Sequence, residues 1–91
     1  MSPESPAVHE TVITVRYWAG ARAAAGVEEE TLVMAAGARL GELIAELSTR
    51  HTALVEVLPA CSLLLDGLRS DYSAAIEGSA VLEVLPPFAG G

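Results

Sequence analysis

Hydrophobic and polar positions first alternate over residues 11–18 (TVITVRYW), with Ile13, Val15 and Tyr17 on one side and Val12, Thr14, Arg16 and Trp18 on the other. A period of two in β-branched and aromatic residues predicts a strand. Residues 19–26 (AGARAAAG) are alanine-rich between glycines, enough for one or two helical turns closed by Gly26 as a C-cap. Residues 28–34 (EEETLVM) begin as three charges and end apolar, which suits a strand entering from solvent near a sheet edge. The period then changes. Leu40, Leu43, Ile44 and Leu47 recur at i, i+3, i+4 and i+7 with Glu42, Glu46 and Thr49 opposite, which predicts an amphipathic helix.

In residues 51–60, Leu54, Val55, Val57 and Leu58 precede Pro59, compatible with a short irregular or helical turn across the sheet that the proline ends. Residues 61–65 (CSLLL) read as a buried strand, and Asp66-Gly67 is a favoured type I′ pair that reverses the chain into a short strand at 68–70. Residues 71–75 read as a surface turn, Glu77-Gly78-Ser79 as a second reversal and 80–85 (AVLEVL) as a final strand. The predicted order is β-β-α-β-β-β, a two-layer α+β domain with its helix on one sheet face. The expected organisation is a flexible leader over 1–10, a folded domain over 11–85 and an extended tail over 86–91.

Composition narrows the functions available. The 91 residues suffice for one domain. Twelve acidic residues stand against five arginines (Arg16, Arg22, Arg39, Arg50, Arg69) and no lysine, a net charge of −7 that excludes phosphate-backbone binding to nucleic acid. No apolar run approaches a membrane span, and 1–10 has neither the basic start nor the apolar stretch of a signal peptide, so the expected location is the cytoplasm. The single cysteine, Cys61, and the distant His9 and His51 make no metal-binding spacing. Cys61 reads as core packing rather than a persulfide acceptor, and His51 as a late-helix residue suited to the dipole or a surface hydrogen bond. Residues 28–30 read as a solvated strand edge. Tyr17 reads as core, and Trp18 is compatible with either the core or a partner surface.

The candidate chemistry lies in the last six residues, Pro86-Pro87-Phe88-Ala89-Gly90-Gly91. Pro86 and Pro87 favour polyproline II and stiffen an arm with a reach of roughly 19 Å. Gly90 and Gly91 carry no Cβ, so the backbone can enter a narrow channel and a nucleophile can reach the terminal carbonyl unhindered. A carboxylate at Gly91 resists attack until it is activated, so the expectation is that the reactive group is the C-terminus itself, worked on by a partner. Phe88 is expected to seat in that partner's groove, where leaving water is worth roughly 1.5–3 kcal/mol. The chain has no serine–histidine arrangement, paired catalytic carboxylates or phosphate loop in recognisable spacing.

The strand pair, amphipathic helix, Asp-Gly hairpin, glycine turn and final VLEVLPPFAGG segment resemble the MoaD/ThiS family of ubiquitin-like sulfur carriers over residues 11–91, with the Pro-Pro pair favouring the MoaD branch. The resemblance implies an α+β, β-grasp fold with the first and last strands parallel at the sheet centre. It implies that an E1-like (MoeB-like) enzyme consumes ATP to adenylate Gly91, that a sulfur donor converts it to a thiocarboxylate, and that the tail then enters a MoaE-like molybdopterin synthase large subunit. On this reading Gly91 is the reacting residue, Pro86, Pro87, Phe88, Ala89 and Gly90 bind the partner, and the chain holds no cofactor or metal of its own. Alternatives are a carrier for thiamine thiazole or cysteine synthesis, a ubiquitin-like modifier joined to targets through Gly91, and a plain β-grasp binding module.

Overall fold

A computed structural model describes residues 9–87. In chain order the elements are β1 (Glu10–Tyr17), α1 (Ala19–Ala25), β2 (Glu29–Ala35), β3 (Ala38–Arg39), α2 (Leu40–Arg50), α3 (Leu54–Val57), a 3-10 turn (Leu58–Ala60), β4 (Ser62–Leu65), β5 (Leu68–Arg69), β6 (Ala75–Ile76) and β7 (Ala80–Leu85). Five strands form one mixed sheet in the order β2-β1-β7-β4-β5, and β3 pairs with β6 in a separate two-stranded ribbon. β1 and β7 run parallel beside each other, while β2 on β1, β4 on β7 and β5 on β4 are antiparallel. This is the β-grasp arrangement, with the first and last strands side by side in the interior of the sheet.

The alternation in β1 determines which face is dry. Ile13, Val15 and Tyr17 are buried, and Leu82 and Val84 of β7 join them from the neighbouring strand. The α2 stripe of Leu40, Leu43, Ile44 and Leu47 closes over this face, and all four side chains are buried. Each contributes about 1.5–3 kcal/mol by leaving water. Leu54 and Leu58, from α3 and the 3-10 turn, complete the same cluster. Among the described residues no helix is long and apolar enough to cross a membrane.

Several local features determine how these elements begin and end. Gly26 takes a left-handed φ of 77° and its N–H reaches Arg22 O, closing α1. At the start of α2, the Glu42 carboxylate accepts the Arg39 N–H at 2.8 Å. The Leu40 and Gly41 N–H groups donate to the carbonyls of Ala74 and Tyr72 at 2.8 and 2.9 Å. The loop that prepares β6 therefore satisfies the first-turn donors of the helix. Asp66 and Gly67 have φ of 51° and 83°, as a type I′ turn requires, and Leu65 pairs with Leu68 across it.

The structure departs from the sequence expectation in several places, among them small shifts in the bounds of β2 and β5. The β3–β6 ribbon is unexpected, since residues 38–39 carry no predicted element and Ala75 falls in a predicted surface turn: two-residue strands leave no periodicity to detect. The chain becomes regular at Glu10 rather than Thr11. Pro59 does not end the segment before it but sits in the first turn of the 3-10 helix, where its missing N–H leaves no bond unmade. Cys61 precedes β4 rather than opening it. Most of the expected leader, residues 1–8, lies outside the described residues.

Candidate functional site

β7 is the element that carries the tail. Its start is held by the Asp66 turn: Asp66 N–H donates to Val81 O at 2.8 Å, and the Asp66 carboxylate accepts Val81 N–H at 2.9 Å. Its end is held by the parallel ladder, where Tyr17 is the register partner of Val84 and Trp18 N–H donates to Val84 O at 3.2 Å. The last antiparallel pair is Ser62 with Leu85, and Pro86 follows immediately. With no N–H to donate, Pro86 cannot extend the ladder, so pairing stops there. Pro86 is half-buried against the body and Pro87 is exposed. The two prolines predicted to form the stiff arm thus stand at the root of the tail. Phe88, Ala89, Gly90 and Gly91 lie outside the described residues.

The surface beside this root is mixed in character. Trp18 is 41% exposed, and the Arg16 guanidinium lies 5.5 Å from its ring centroid. Arg16 also reaches Glu29 at 3.4 Å and Glu83 at 3.8 Å, a charged row across three strands of the outer sheet face. Next to Trp18 a small depression of about 110 Å³ is lined by Arg16, Tyr17, Trp18, Arg22 and Glu28. A wider, shallow one of about 650 Å³ continues along Ala19, Ala23, Gly26 and Val27. Trp18 therefore lies on the surface at the tail root rather than in the core.

Tyr17 is core as expected, but its hydroxyl is not idle. It donates to Glu30 Oε2 at 2.5 Å, and His51 Nε2 meets the same oxygen at 2.6 Å. Arg50 Nη1 stands 3.5 Å from Glu30 Oε1, and the Tyr17 and His51 rings meet edge to face with centroids 6.0 Å apart. Burial works to raise the Glu30 pKa, but the hydrogen bonds from Tyr17 and His51, with the charges of His51 and Arg50, outweigh it and hold the carboxyl below its ordinary value. Burial and the Glu30 carboxylate together push the Tyr17 phenol far above its ordinary value. The phenol and the carboxylate are thus committed to one another as donor and acceptor, an arrangement that braces the fold rather than one poised for proton transfer.

This cluster corrects two sequence expectations. Glu30 is not part of a solvated edge, and His51, which caps α2 at the helix end the dipole reading expected, bonds half-buried Glu30 rather than a surface group. The missed signal was parity: Glu30, Leu32 and Met34 share one face of β2, so a strand with Leu32 facing inward must carry Glu30 inward too. Glu28 and Glu29 do behave as an edge, in exposed pairs with Arg22 and Arg16. Cys61 packs against the core, its thiol donating to Val57 O at 3.3 Å, and burial raises its pKa. Among the described residues no three His, Cys, Asp or Glu side chains gather as a metal site.

Comparison with known proteins places this geometry in context. The model of the ThiS family matches residues 15–91. A molybdopterin synthase sulfur carrier subunit from Chlamydomonas reinhardtii is 32% identical over 81 residues, covering 87% of this chain and 98% of that protein. Among solved structures, a putative molybdopterin converting factor subunit 1 from Pyrococcus furiosus superposes with a TM-score of 0.77 at 27% identity, covering 85% of this chain and 98% of the other. A complex of subunits 1 and 2 of the molybdopterin-converting factor from Helicobacter pylori contains a chain with a TM-score of 0.62 and 27% identity, covering 89% of this chain and 100% of that one.

Proposed function

This chain belongs to the ThiS family, and on that premise we propose that it is the sulfur-carrier small subunit of a molybdopterin synthase. The observation that carries the reading is the extent of the family match, which runs through residue 91 and so takes in the whole Pro-Pro-Phe-Ala-Gly-Gly segment along with the fold that presents it. The name of the Chlamydomonas relative supports the molybdopterin pathway over a thiamine or cysteine pathway. The paired subunits of the Helicobacter complex support a large-subunit partner of the MoaE type.

In the proposed reaction a Gly91 carboxylate oxygen attacks the α-phosphorus of ATP on an adenylating partner, and pyrophosphate leaves. The resulting acyl-adenylate is attacked at its carbonyl carbon by the outer sulfur of a persulfide donor and AMP leaves; a thiol then attacks the inner sulfur of the acyl disulfide, forming a disulfide with the donor and releasing the C-terminal thiocarboxylate. That sulfur is then delivered to a pterin precursor in the large subunit. Acid, base and oxyanion groups come from the partners. The chain's own residues hold and aim the tail: the β1–β7 ladder fixes where it leaves, Pro86 and Pro87 stiffen it, Phe88 and Ala89 engage the partner's channel, and Gly90 and Gly91 leave the carbonyl open. ATP is consumed by the partner, and this chain binds no cofactor.

The reading is tested with two variants of the full chain, one lacking Gly90 and Gly91 and one carrying a single alanine after Gly91. Each is assayed for pterin dithiolene formation with the adenylating enzyme, ATP, a sulfur donor and the large subunit. Both variants should melt like the unaltered chain and both should be inactive. Activity retained by the deletion would make the tail incidental and remove the proposal.

A further inference from the structure

The Glu30 cluster joins three elements through one carboxylate. Tyr17 comes from β1, Glu30 from β2, and Arg50 and His51 from the C-terminal end of α2 and its cap. The Glu30 side chain is only 16% exposed. The Tyr17 hydroxyl donates to Oε2, His51 Nε2 lies 2.6 Å from the same oxygen, and the Arg50 guanidinium forms an ion pair with Oε1. That geometry suits an ionised carboxylate, which only accepts. A neutral carboxyl would lose the ion pair with Arg50 and weaken the charge-assisted bond from Tyr17.

β2 is held to β1 by a seven-pair antiparallel backbone ladder, but few of its side chains anchor it inward. It is an edge strand, with Leu32 its one fully buried side chain and Met34 half-buried. Its remaining polar contacts, Glu29 to Arg16 and the neighbouring Glu28 to Arg22, are between exposed side chains and add little. β1, by contrast, is clamped on its other side by β7 and buries Ile13, Val15 and Tyr17 in the core. An edge strand with one apolar anchor and one polar anchor can open without the rest of the sheet.

We propose that Glu30 is an acid-labile latch, whose carboxylate fastens edge strand β2 and the end of α2 to β1, and whose protonation frees β2 while the β1–β7–β4 core stays closed. Because the folded pKa of Glu30 lies below its ordinary value, its contribution is complete above about pH 4.3, the reference for a free glutamate, and is lost as pH falls through the folded value. The latch is shut at neutral pH and opens in acid. The other groups facing it are Tyr17, Arg50, His51, and Glu46, which meets Arg50 Nε at 3.2 Å. Glu28 and Glu29 lie toward solvent beside it.

Residue-resolved amide hydrogen exchange by NMR on the full chain, from about pH 7 to about pH 3 and corrected for intrinsic rates, tests the latch. Protection of the β2 amides should fall at least about tenfold relative to the β4–β7 ladder as the pH drops below about 4. Glu30→Gln should show that loss already at neutral pH with little further change, and Glu46→Gln should behave as the unaltered chain. Should Glu30→Gln not fold, Tyr17→Phe decides: losing one donor moves the folded Glu30 pKa back toward the free value, so the acid-induced loss of β2 protection must become smaller and level off at higher pH. The proposal is overturned if β2 and β7 amides lose protection together in the unaltered chain, if Glu30→Gln keeps the original pH dependence, or if Tyr17→Phe leaves the size of the acid-induced β2 loss unchanged.

Discussion

Replacing Gly67 by alanine separates handedness from packing at the turn that fixes the start of β7. A Cβ built on Gly67 meets no atom within 4 Å, so no clash contributes. What remains is the φ of 83°, where an L-residue costs roughly 1–2 kcal/mol. Against a total stability of about 5–15 kcal/mol this is a large fraction, and for a domain of this size it corresponds to a fall in Tm of about 4–16 °C. D-alanine at the same position, introduced by chemical ligation, prefers positive φ and restricts the unfolded chain. It should match glycine or exceed it by up to about 1 kcal/mol. Heat denaturation followed by far-UV circular dichroism, with glycine, L-alanine and D-alanine compared, measures the effect. Asp66 bonds Val81 through both its backbone and its carboxylate, so strain in the turn acts directly on the strand that leads to the tail. Equal losses for the L- and D-alanine proteins would refute the reasoning, because a cost shared by both hands cannot come from φ.

Two further outcomes follow from the packing. Leu47→Ala removes a fully buried side chain from the α2 stripe and should cost about 2–5 kcal/mol in urea denaturation, enough to bring the chain near its unfolding threshold; an unshifted midpoint would show that the helix does not seat as described. Cys61, with its thiol bonded to Val57 O and its pKa raised by burial, should react with a thiol reagent at neutral pH at least about tenfold more slowly in the folded chain than in urea, and equal rates would contradict its packing.

Features carried by a long periodic run were legible in the sequence. The α2 stripe needed only Leu40, Leu43, Ile44 and Leu47, and the β1 face needed only the alternation from Ile13 to Tyr17. The Asp66-Gly67 reversal was legible because few residue pairs accept two positive φ angles in succession. The β3–β6 ribbon was not, because its two-residue strands are positioned by tertiary hydrogen bonds such as Gly37 N–H to Ile76 O rather than by a local pattern. The Glu30 cluster was hidden for a related reason. Tyr17, Glu30 and His51 are far apart in the chain, and a run of three glutamates reads as solvated unless strand parity separates the third from the first two. At the candidate site, sequence identified the tail and its two prolines, while the structure added what aims them: the Trp18 N–H bond to Val84 O and the half-buried Pro86.

Intact mass of the full chain, incubated with its adenylating enzyme, ATP and a sulfur donor and then fragmented, bears most directly on the sulfur-carrier reading. The prediction is a gain of about 16 Da, the exchange of one oxygen for sulfur, confined to Gly91. An unchanged mass with a demonstrably active enzyme, or added sulfur found on Cys61 instead, would contradict it.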